Sequence, residues 1–573
     1  MASLRSGYVA LLVAAAAAAA PSLLAYNLSP SPTFLNQALA LALWGWFIAL
    51  SAAPASGRGP VPACAALGLV AAAVLGSWVL GALPSTFALS ALGMLAAAAL
   101  LLAAGSGARR SAEPLDLFTA FCVAWLAAGL LNAAVGAVQV FAPDWADGDF
   151  IATPSGAGRA SGNLRQPNHL ASLLMWASIA LVALVELGQL RRRAAAVLLA
   201  LLVFGVVLTA SRTGLVGVLL LAAWGALDRR MAPRTRALLL ATPPIYAAAW
   251  LGMAQWAALS EHTFGGARRL AEGDISSSRF AIWANTLELI RRHPWGGVGF
   301  GEFNLAWTLT PFPDRPTAFF DHTHNLPLQL AVELGLPLAG LVMALLLWAL
   351  WQAARTAWRR SDALGAGQRA AWMFVLMIGL HSLLEYPLWY SYFLLPAAWA
   401  WGFALGDEGA APAASAAHAA PRRSRLLTIG GLLLVAGAVA SVFDYLRLAA
   451  IFTAGENSAP LAQRVEAGRR SVLFAHHADY AAVTGSTQPR EPDASFASTT
   501  HYLLDTRLMI AWATHLAQRG ELDKARHLAA RLAEFHKEDA EEFFAPCSTA
   551  AAATSFQCQA ASRVPGWHEY LAR

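Results

Sequence analysis

Apolar windows long enough to cross a lipid bilayer recur along this chain, and they restrict its fold more than any other feature of it. About 17–25 apolar residues cross a hydrocarbon core of roughly 30 Å as a helix. Such windows follow one another from the N-terminus to about Phe443. Backbone polar groups inside hydrocarbon must be satisfied within the protein, so segments of this kind read as helices. The expected spans are roughly 8–25, 34–53, 64–83, 86–104, 115–141, 169–190, 194–210, 213–227, 237–256, 326–351, 370–384, 390–405 and 426–443, about thirteen in all. The first, after Arg5, resembles a signal-peptide core, but no clean A-x-A site follows, and it is read as a membrane helix. Only 13% of the 573 residues are charged and 57% are hydrophobic, against about 25% charged in a soluble protein. The expected fold class is an all-α polytopic membrane protein. From Asp444 onward the sequence becomes charged and amphipathic. A membrane domain, 1–443, is therefore expected to precede a smaller helical domain, 444–573.

Arginine placement sets the expected orientation, because short cytoplasmic loops carry the basic residues. Arg5, Arg58, Arg109 with Arg110, the run Arg191 to Arg193, Arg229, Arg230, Arg234, Arg236, Arg355, Arg359, Arg360, Arg369, Arg422, Arg423 and Arg425 all fall in segments of one parity. The opposite short loops, near 26–33 and 84–85, carry no basic residue. The N-terminus is then cytoplasmic, and an odd number of spans puts the C-terminal domain outside, in the periplasm of a bacterium with the chain in its inner membrane. Two long loops, about 142–168 and about 257–325, fall outside as well. The net charge of +6 is spread singly or in short runs between apolar spans, which is no nucleic-acid footprint. Cys64 and Cys122 lie in apolar spans as packing residues. Cys547 and Cys558 are able to pair if their domain is periplasmic, and the sequence leaves both answers open.

The unusual polar residues gather on the outer side. In SGNLRQPNHLA, Ser161 to Ala171, the side chains of Arg165, Gln166, Asn168 and His169 crowd the start of a helix. They form either a polar cap or part of a site. Arg212, in TASRTG, sits between two apolar spans with almost no loop, where an arginine either snorkels to the interface or holds an anion with its planar fork. Arg279 opens an amphipathic helix with Phe280, Trp283, Leu287 and Ile290 on one face, broken at His293 and Pro294. Gly297, Gly299 and Gly301 follow, but no βαβ pattern surrounds them and a nucleotide-loop reading is rejected. In DHTHNLPLQLAVELGLP, His322, His324 and Asn325 precede a long apolar helix. They are a helix start, a metal site with Asp321, or, the favoured reading, the source of a general base with pKa near about 6.5. Glu385, near the outer end of its span, serves either structural pairing or catalysis.

These motifs together resemble the bacterial O-antigen ligase and polymerase superfamily. SRTG at 211–214, SR-x-x-x-W from Ser278 to Trp283 and HTHN at 322–325 match its core. RQPNHLA at 165–171, with a C-terminal domain after the last span, resembles its protein O-oligosaccharyltransferases that glycosylate pilins. The resemblance implies a GT-C-type glycosyltransferase acting on an undecaprenyl-pyrophosphate-linked glycan, with a pilin-like periplasmic protein as acceptor. It implies that Arg212 and Arg279 bind the pyrophosphate and that His324 is catalytic, with inversion at the anomeric carbon and no cofactor or metal. Arg165, Gln166, Asn168, His169, His322, Asn325 and Glu385 are possible supporting residues. An O-antigen ligase acting on lipid A core, or a polymerase, shares this chemistry. A lipid or solute transporter is the reading from another class, but transport places ionisable groups near mid-membrane, often in repeated halves, and neither feature is evident here. GELDKARHLAARLAEF, from Gly520 to Phe535, with the helix-like stretch 503–518 resembles one tetratricopeptide unit, equally suited to packing or to protein binding.

Overall fold

The structure is a computed structural model that describes every residue except 1, 52, 55–56, 110, 112, 261, 268–276, 407–423, 454, 456–457, 486–490 and 572–573. The side chains of 2–10, 277 and 278 are also outside the description. Arg110, Arg422 and Arg423, the side chain of Arg5, and part of the expected 257–325 loop therefore lie outside the described residues.

Among the described residues the chain is helical, 73% of it, with no strand. The apolar helices are α1 (Ala2–Leu23), α2 (Phe34–Ser51), α3 (Val61–Val79), α4 (Ser85–Ala108), α5 (Pro114–Phe141), α6 (Pro167–Glu186), α7 (Arg192–Leu208) and α8 (Arg212–Leu227). They continue with the pair α9 (Pro233–Leu240) and α10 (Thr242–Leu259). After α11 (Ser277–Arg292) and the short α12 (Phe303–Leu309) come α13 (Leu326–Arg359), α14 (Ala363–His381), α15 (Ser391–Leu405) and α16 (Arg425–Phe452). Each expected span overlaps one of these helices, except 237–256, which runs across the α9–α10 pair. Nine stretches among the described residues are long and apolar enough to cross a membrane, counting Pro233–Leu259 as one, whereas α8, α15 and the Leu11–Leu23 part of α1 are shorter apolar helices.

The fold divides into two compact units. The first comprises 1–67, 94–273 and 344–442. Its centre is α6, whose best 18-residue apolar window is entirely buried. Aromatic side chains knit this core: Phe121 stacks on Trp399 at 4.7 Å, and Trp125 meets Trp176 edge-on at 4.8 Å. Small residues let helices approach in such a bundle. A Cβ on Gly402 of α15 would lie 2.0 Å from the Leu102 carbonyl oxygen of α4, which fixes glycine there. Arg369, one of the arginines used for orientation, is buried in an ion pair with Asp228 at 2.8 Å.

The second unit comprises 68–93, 274–343 and 443–573. Its C-terminal part begins with α17 (Leu461–Gly468), α18 (Ala475–Thr484) and α19 (Pro492–Thr499). Then α20 (Thr506–Gln518) and α21 (Leu522–Ala533) form the expected helical pair. Their inner faces do not enclose a core of their own. Leu508, Trp512, Leu528 and Phe535 share one hydrophobic cluster with Ile282, Leu289, Phe303 and Trp307 from the segment before α13. Polar ties reinforce it: Asn304 Oδ1 accepts from the Leu504 amide at 2.9 Å, and Arg315 pairs with Glu534 at 2.8 Å. Cys547 and Cys558 form a disulfide.

The amphipathic helix α11 buries a face rotated from the one its pattern suggested, sharing Ile290 and the partly buried Trp283 with it. Ile282, Leu289 and Ile290 are in the core, while Phe280 and Leu287 are 63% and 48% exposed. The buried face includes the polar Asn285 and Thr286, so apolar periodicity alone misplaces it. Thr286 donates to the Ile282 carbonyl at 2.7 Å, and Asn285 accepts from the Trp307 indole at 3.2 Å.

Candidate functional site

In the first unit, the polar run ahead of α6 and the start of α8 are tied by a buried relay. Pro167 opens α6 and Gln166 caps it, its side chain accepting from the His169 amide at 2.9 Å. This cap leaves Asn168 facing inward, 9% exposed. Asn168 Nδ2 donates to Glu385 Oε1 at 2.9 Å, while Asn168 Oδ1 accepts from the Ser211 hydroxyl at 2.6 Å. Ser211 Oγ in turn accepts from the Gly214 amide at 3.1 Å and caps α8. Arg212, the next residue, is exposed. Its position at the first turn of α8 is thus fixed from Glu385 through two side chains. The resulting relay accounts for both Asn168 and Glu385, residues 217 apart in sequence.

His169 and Arg165 have other partners. The hydroxyl of Tyr392 and His169 Nδ1 are hydrogen-bonded at 3.2 Å, and Tyr390 packs edge-on to the imidazole at 4.7 Å. Arg165 donates to the carbonyls of Pro32, at 3.2 Å, and Ala25. Arg165 therefore commits its guanidinium to backbone and braces the 25–32 turn. Sequence inspection noted HSLLEYP, from His381 to Pro387, but gave His381 no role, and its hydrogen bond with Ser172 at 2.8 Å was missed. The signal was available, since His381 is an ionisable residue at the end of the apolar run that follows Arg369 in its helix.

In the second unit, the HTHN segment is held on both sides. Asn325 caps α13 by accepting from the Leu328 amide at 3.0 Å, the role that asparagine performs at helix starts. The Thr323 hydroxyl donates to the Asn325 carbonyl at 2.9 Å. The Thr323 amide donates to Gln329 at 2.8 Å, and the Thr323 carbonyl accepts from the Trp283 indole at 2.9 Å. Trp283 lies one turn after Arg279 on α11, so the W of the SR-x-x-x-W motif ties the helix carrying Arg279 to the residue before His324. Arg279 and His324 are both half-buried, and Phe320 packs edge-on to the His324 ring at 5.4 Å.

His322 and Asp321 form a second feature of this loop, with Nδ1 and Oδ1 3.1 Å apart. Burial acts to lower the imidazole pKa, but the charge and hydrogen bond of Asp321 outweigh it and raise it above the usual histidine value. Burial likewise acts to raise the Asp321 carboxyl. The charge and hydrogen bond of His322, with the charge of His324, hold it below the ordinary range.

Backbone geometry marks the same segments. Four non-glycine residues among those described adopt positive φ: Arg165 at 58°, Ala210 at 48°, His324 at 54° and His536 at 47°. Such conformations cost on the order of 1–3 kcal/mol and persist where surroundings over-determine them. Arg165 and His324 lie in the motifs that carry the resemblance, and Ala210 directly precedes a third.

The glycines after α11 have a steric purpose. α13 is interrupted at Gly335, with φ 76° and ψ 160°, and Gly297 approaches that break with φ 67°. A Cβ on Gly297 would stand 2.4 Å from the Glu333 carbonyl oxygen. The Val298 amide donates to the Val332 carbonyl at 2.8 Å and the Leu336 amide to that of Pro294 at 2.8 Å. The Glu333 carboxylate then accepts from the Gly301 amide at 3.1 Å and from Gln329 Nε2 at 3.0 Å. Glu333 and Gln329, one turn apart on α13, couple this glycine loop to Thr323. Sequence inspection passed over both, although one carboxylate in a long apolar helix was a visible sign. No group of three or more His, Cys, Asp or Glu side chains among the described residues is arranged to hold a metal ion.

Comparison with known proteins bears on what this arrangement does. The O-antigen ligase family model matches residues 195–343, a stretch containing Arg212, Arg279 and the HTHN segment. The protein glycosylation ligase model matches 160–185, and that of the C-terminal region of a virulence factor membrane-bound polymerase matches 369–549. A general O-oligosaccharyltransferase of Acinetobacter baylyi is 27% identical over 264 residues, 43% of each chain. A ComP-specific O-oligosaccharyltransferase of the same organism is 26% identical over 257 residues, 44% of this chain and 45% of the relative. The alignments thus span less than half the length of these curated relatives.

Proposed function

We propose, from the match to the O-antigen ligase family model and the similarity to protein O-oligosaccharyltransferases, that the chain transfers an oligosaccharide from an undecaprenyl-pyrophosphate-linked donor to Ser or Thr hydroxyls of periplasmic proteins such as pilins. The observation that carries this reading is the fixed HTHN loop. His324 is held in a left-handed conformation between a cap and a strap to the helix of Arg279, as expected for a base whose position must not drift. In this mechanism His324 takes the acceptor hydroxyl proton as the oxygen attacks the anomeric carbon. The bond from that carbon to the pyrophosphate breaks, inverting the centre, and the leaving group departs with the electron pair. Arg212 and Arg279 neutralise the charge that develops on it, which requires no metal or other cofactor. The long loops and the 444–573 domain are assigned to the periplasm of a bacterial inner membrane, with the N-terminus in the cytoplasm.

Co-expression of a donor pathway, this chain and a pilin-like acceptor tests the reading. The expected outcome is an acceptor whose mass rises by one glycan, with transfer persisting in EDTA. Unchanged acceptor beside modified lipopolysaccharide identifies a ligase instead. The polymerase reading draws on the match over 369–549, and it predicts longer lipid-linked chains with no change in either acceptor.

A further inference from the structure

The second unit carries a group of rings that the proposed transfer does not use. Tyr502, just before α20, is 46% exposed. Phe87 lies nearly parallel to it, with centroids 6.2 Å apart and planes at 9°. His477 of α18 stands steeply against it, 5.0 Å away at 73°. The two orientations make a corner, with Tyr502 and Phe87 as the floor and His477 as the wall. Buried His476 supports both, through a hydrogen bond between its Nδ1 and Thr86 Oγ1 at 3.2 Å and ring contact with Phe87 at 4.3 Å. The charge of Asp321, three residues before His324, reaches Tyr502. Desolvation first, and the charge of Asp321 second, push the Tyr502 phenol up to about 12, so it remains an O–H donor. Burial drives His477 down to about 4, which leaves a neutral imidazole able to donate and to accept.

Ligand sites combine aromatic surface with a few placed polar groups. The polar groups here are a neutral phenol, a neutral imidazole and one carboxylate, which suits a neutral hydroxylated molecule with an apolar face. Asp321 disfavours an anionic group. A pyranose ring meets these requirements, with its C–H face against the floor and its hydroxyls towards Asp321 and His477. We propose that Tyr502, Phe87 and His477, within reach of the Asp321 charge, form a carbohydrate-binding corner that holds a pyranose ring of the lipid-linked glycan. This rests on the transferase reading and adds to it a determinant of donor glycan selection contributed by the C-terminal segment.

The test measures binding of three probes to the full chain in nanodiscs: undecaprenyl pyrophosphate, the same lipid with one sugar, and the same lipid with a tetrasaccharide. Tyr502→Ala is expected to weaken tetrasaccharide-lipid binding about tenfold and to raise KM for that donor without a matching fall in kcat. Tyr502→Phe, which keeps the stacking face, should stay within about twofold, and His477→Ala should lose affinity for the tetrasaccharide donor in the same sense. Equal weakening for the sugar-free lipid would overturn the proposal in favour of a membrane anchor. Unchanged binding of all donors with reduced acceptor binding would assign the corner to the acceptor protein and also overturn it. Homogeneous size exclusion of each variant excludes misfolding. If glycan-dependent binding persists while no protein is ever glycosylated, the corner stands and only the acceptor assignment fails.

Discussion

The two units solve one problem, holding a functional side chain still, in opposite ways. In the first, Arg212 is fixed through buried side chains, Glu385 to Asn168 to Ser211, that converge on a helix cap. In the second, the loop around His324 is fixed largely through its backbone: the Thr323 amide and carbonyl are bound by Gln329 and Trp283, and Asn325 caps α13. A buried side-chain relay is intolerant, because removing one member strands the others without water to replace it. A loop held by its backbone leaves its side chains available for chemistry. The contrast predicts that substitutions in the Glu385–Asn168–Ser211 relay act through stability and positioning, whereas those of the side chains held in place, Arg212 and His324, act directly on the reaction.

The largest expected effect breaks the second arrangement at its functional point. His324→Ala should lower transfer by about 10²–10⁴-fold, the usual worth of a general base, while binding of lipid-linked donor in nanodiscs is retained. Full activity in that variant would remove His324 from the mechanism. Next, Arg212→Ala and Arg279→Ala should each reduce kcat/KM about 10²–10³-fold, as loss of one charge-stabilising donor does. Arg212→Lys should recover only part of this, since an ammonium lacks the planar fork.

Asn168→Ala sharpens the comparison further. It should destabilise the protein by about 1–3 kcal/mol through the stranded Glu385 and Ser211 groups, read as a lower thermal midpoint. Combined with Ser211→Ala, the losses should be less than additive, whereas Asn168→Ala with Trp283→Phe should add. The smallest effect concerns pH. His322 is raised, so its contribution to stability is complete below its unfolded pKa and lost as pH rises through the folded one. Asp321 is lowered, so its contribution is present above its unfolded pKa and lost as pH falls through the folded one. Thermal midpoints of the wild type and Asp321→Asn should therefore differ most near about pH 5–6 and converge towards either extreme.

Much of this was legible in the sequence. The helices at the expected spans follow from the length of the apolar runs, and Arg212, Arg279 and the HTHN segment stand out as polar groups beside hydrocarbon. The pairing of Asn168 with Glu385 was not legible, because no local pattern links positions so far apart. The break in α13 was passed over although Gly335 and Pro337 mark it in the run expected as one span at 326–351; its meeting with Gly297 was not legible. Helix α11 misled because its polar Asn285 and Thr286 are satisfied within the core, which an apolar face count treats as surface. The C-terminal pair α20 and α21 was visible by its periodicity, but its core partners, Ile282, Leu289, Phe303 and Trp307, lie some two hundred residues earlier.

That last packing arrangement has a practical consequence for engineering. If acceptor or glycan range is altered by exchanging segments between related transferases, a crossover placed just after α16 would cut through a single hydrophobic core. The smallest transplantable piece is the tail together with 274–343 and 68–93, and a chimera that carries the tail alone inherits two mismatched half-cores in place of a new specificity.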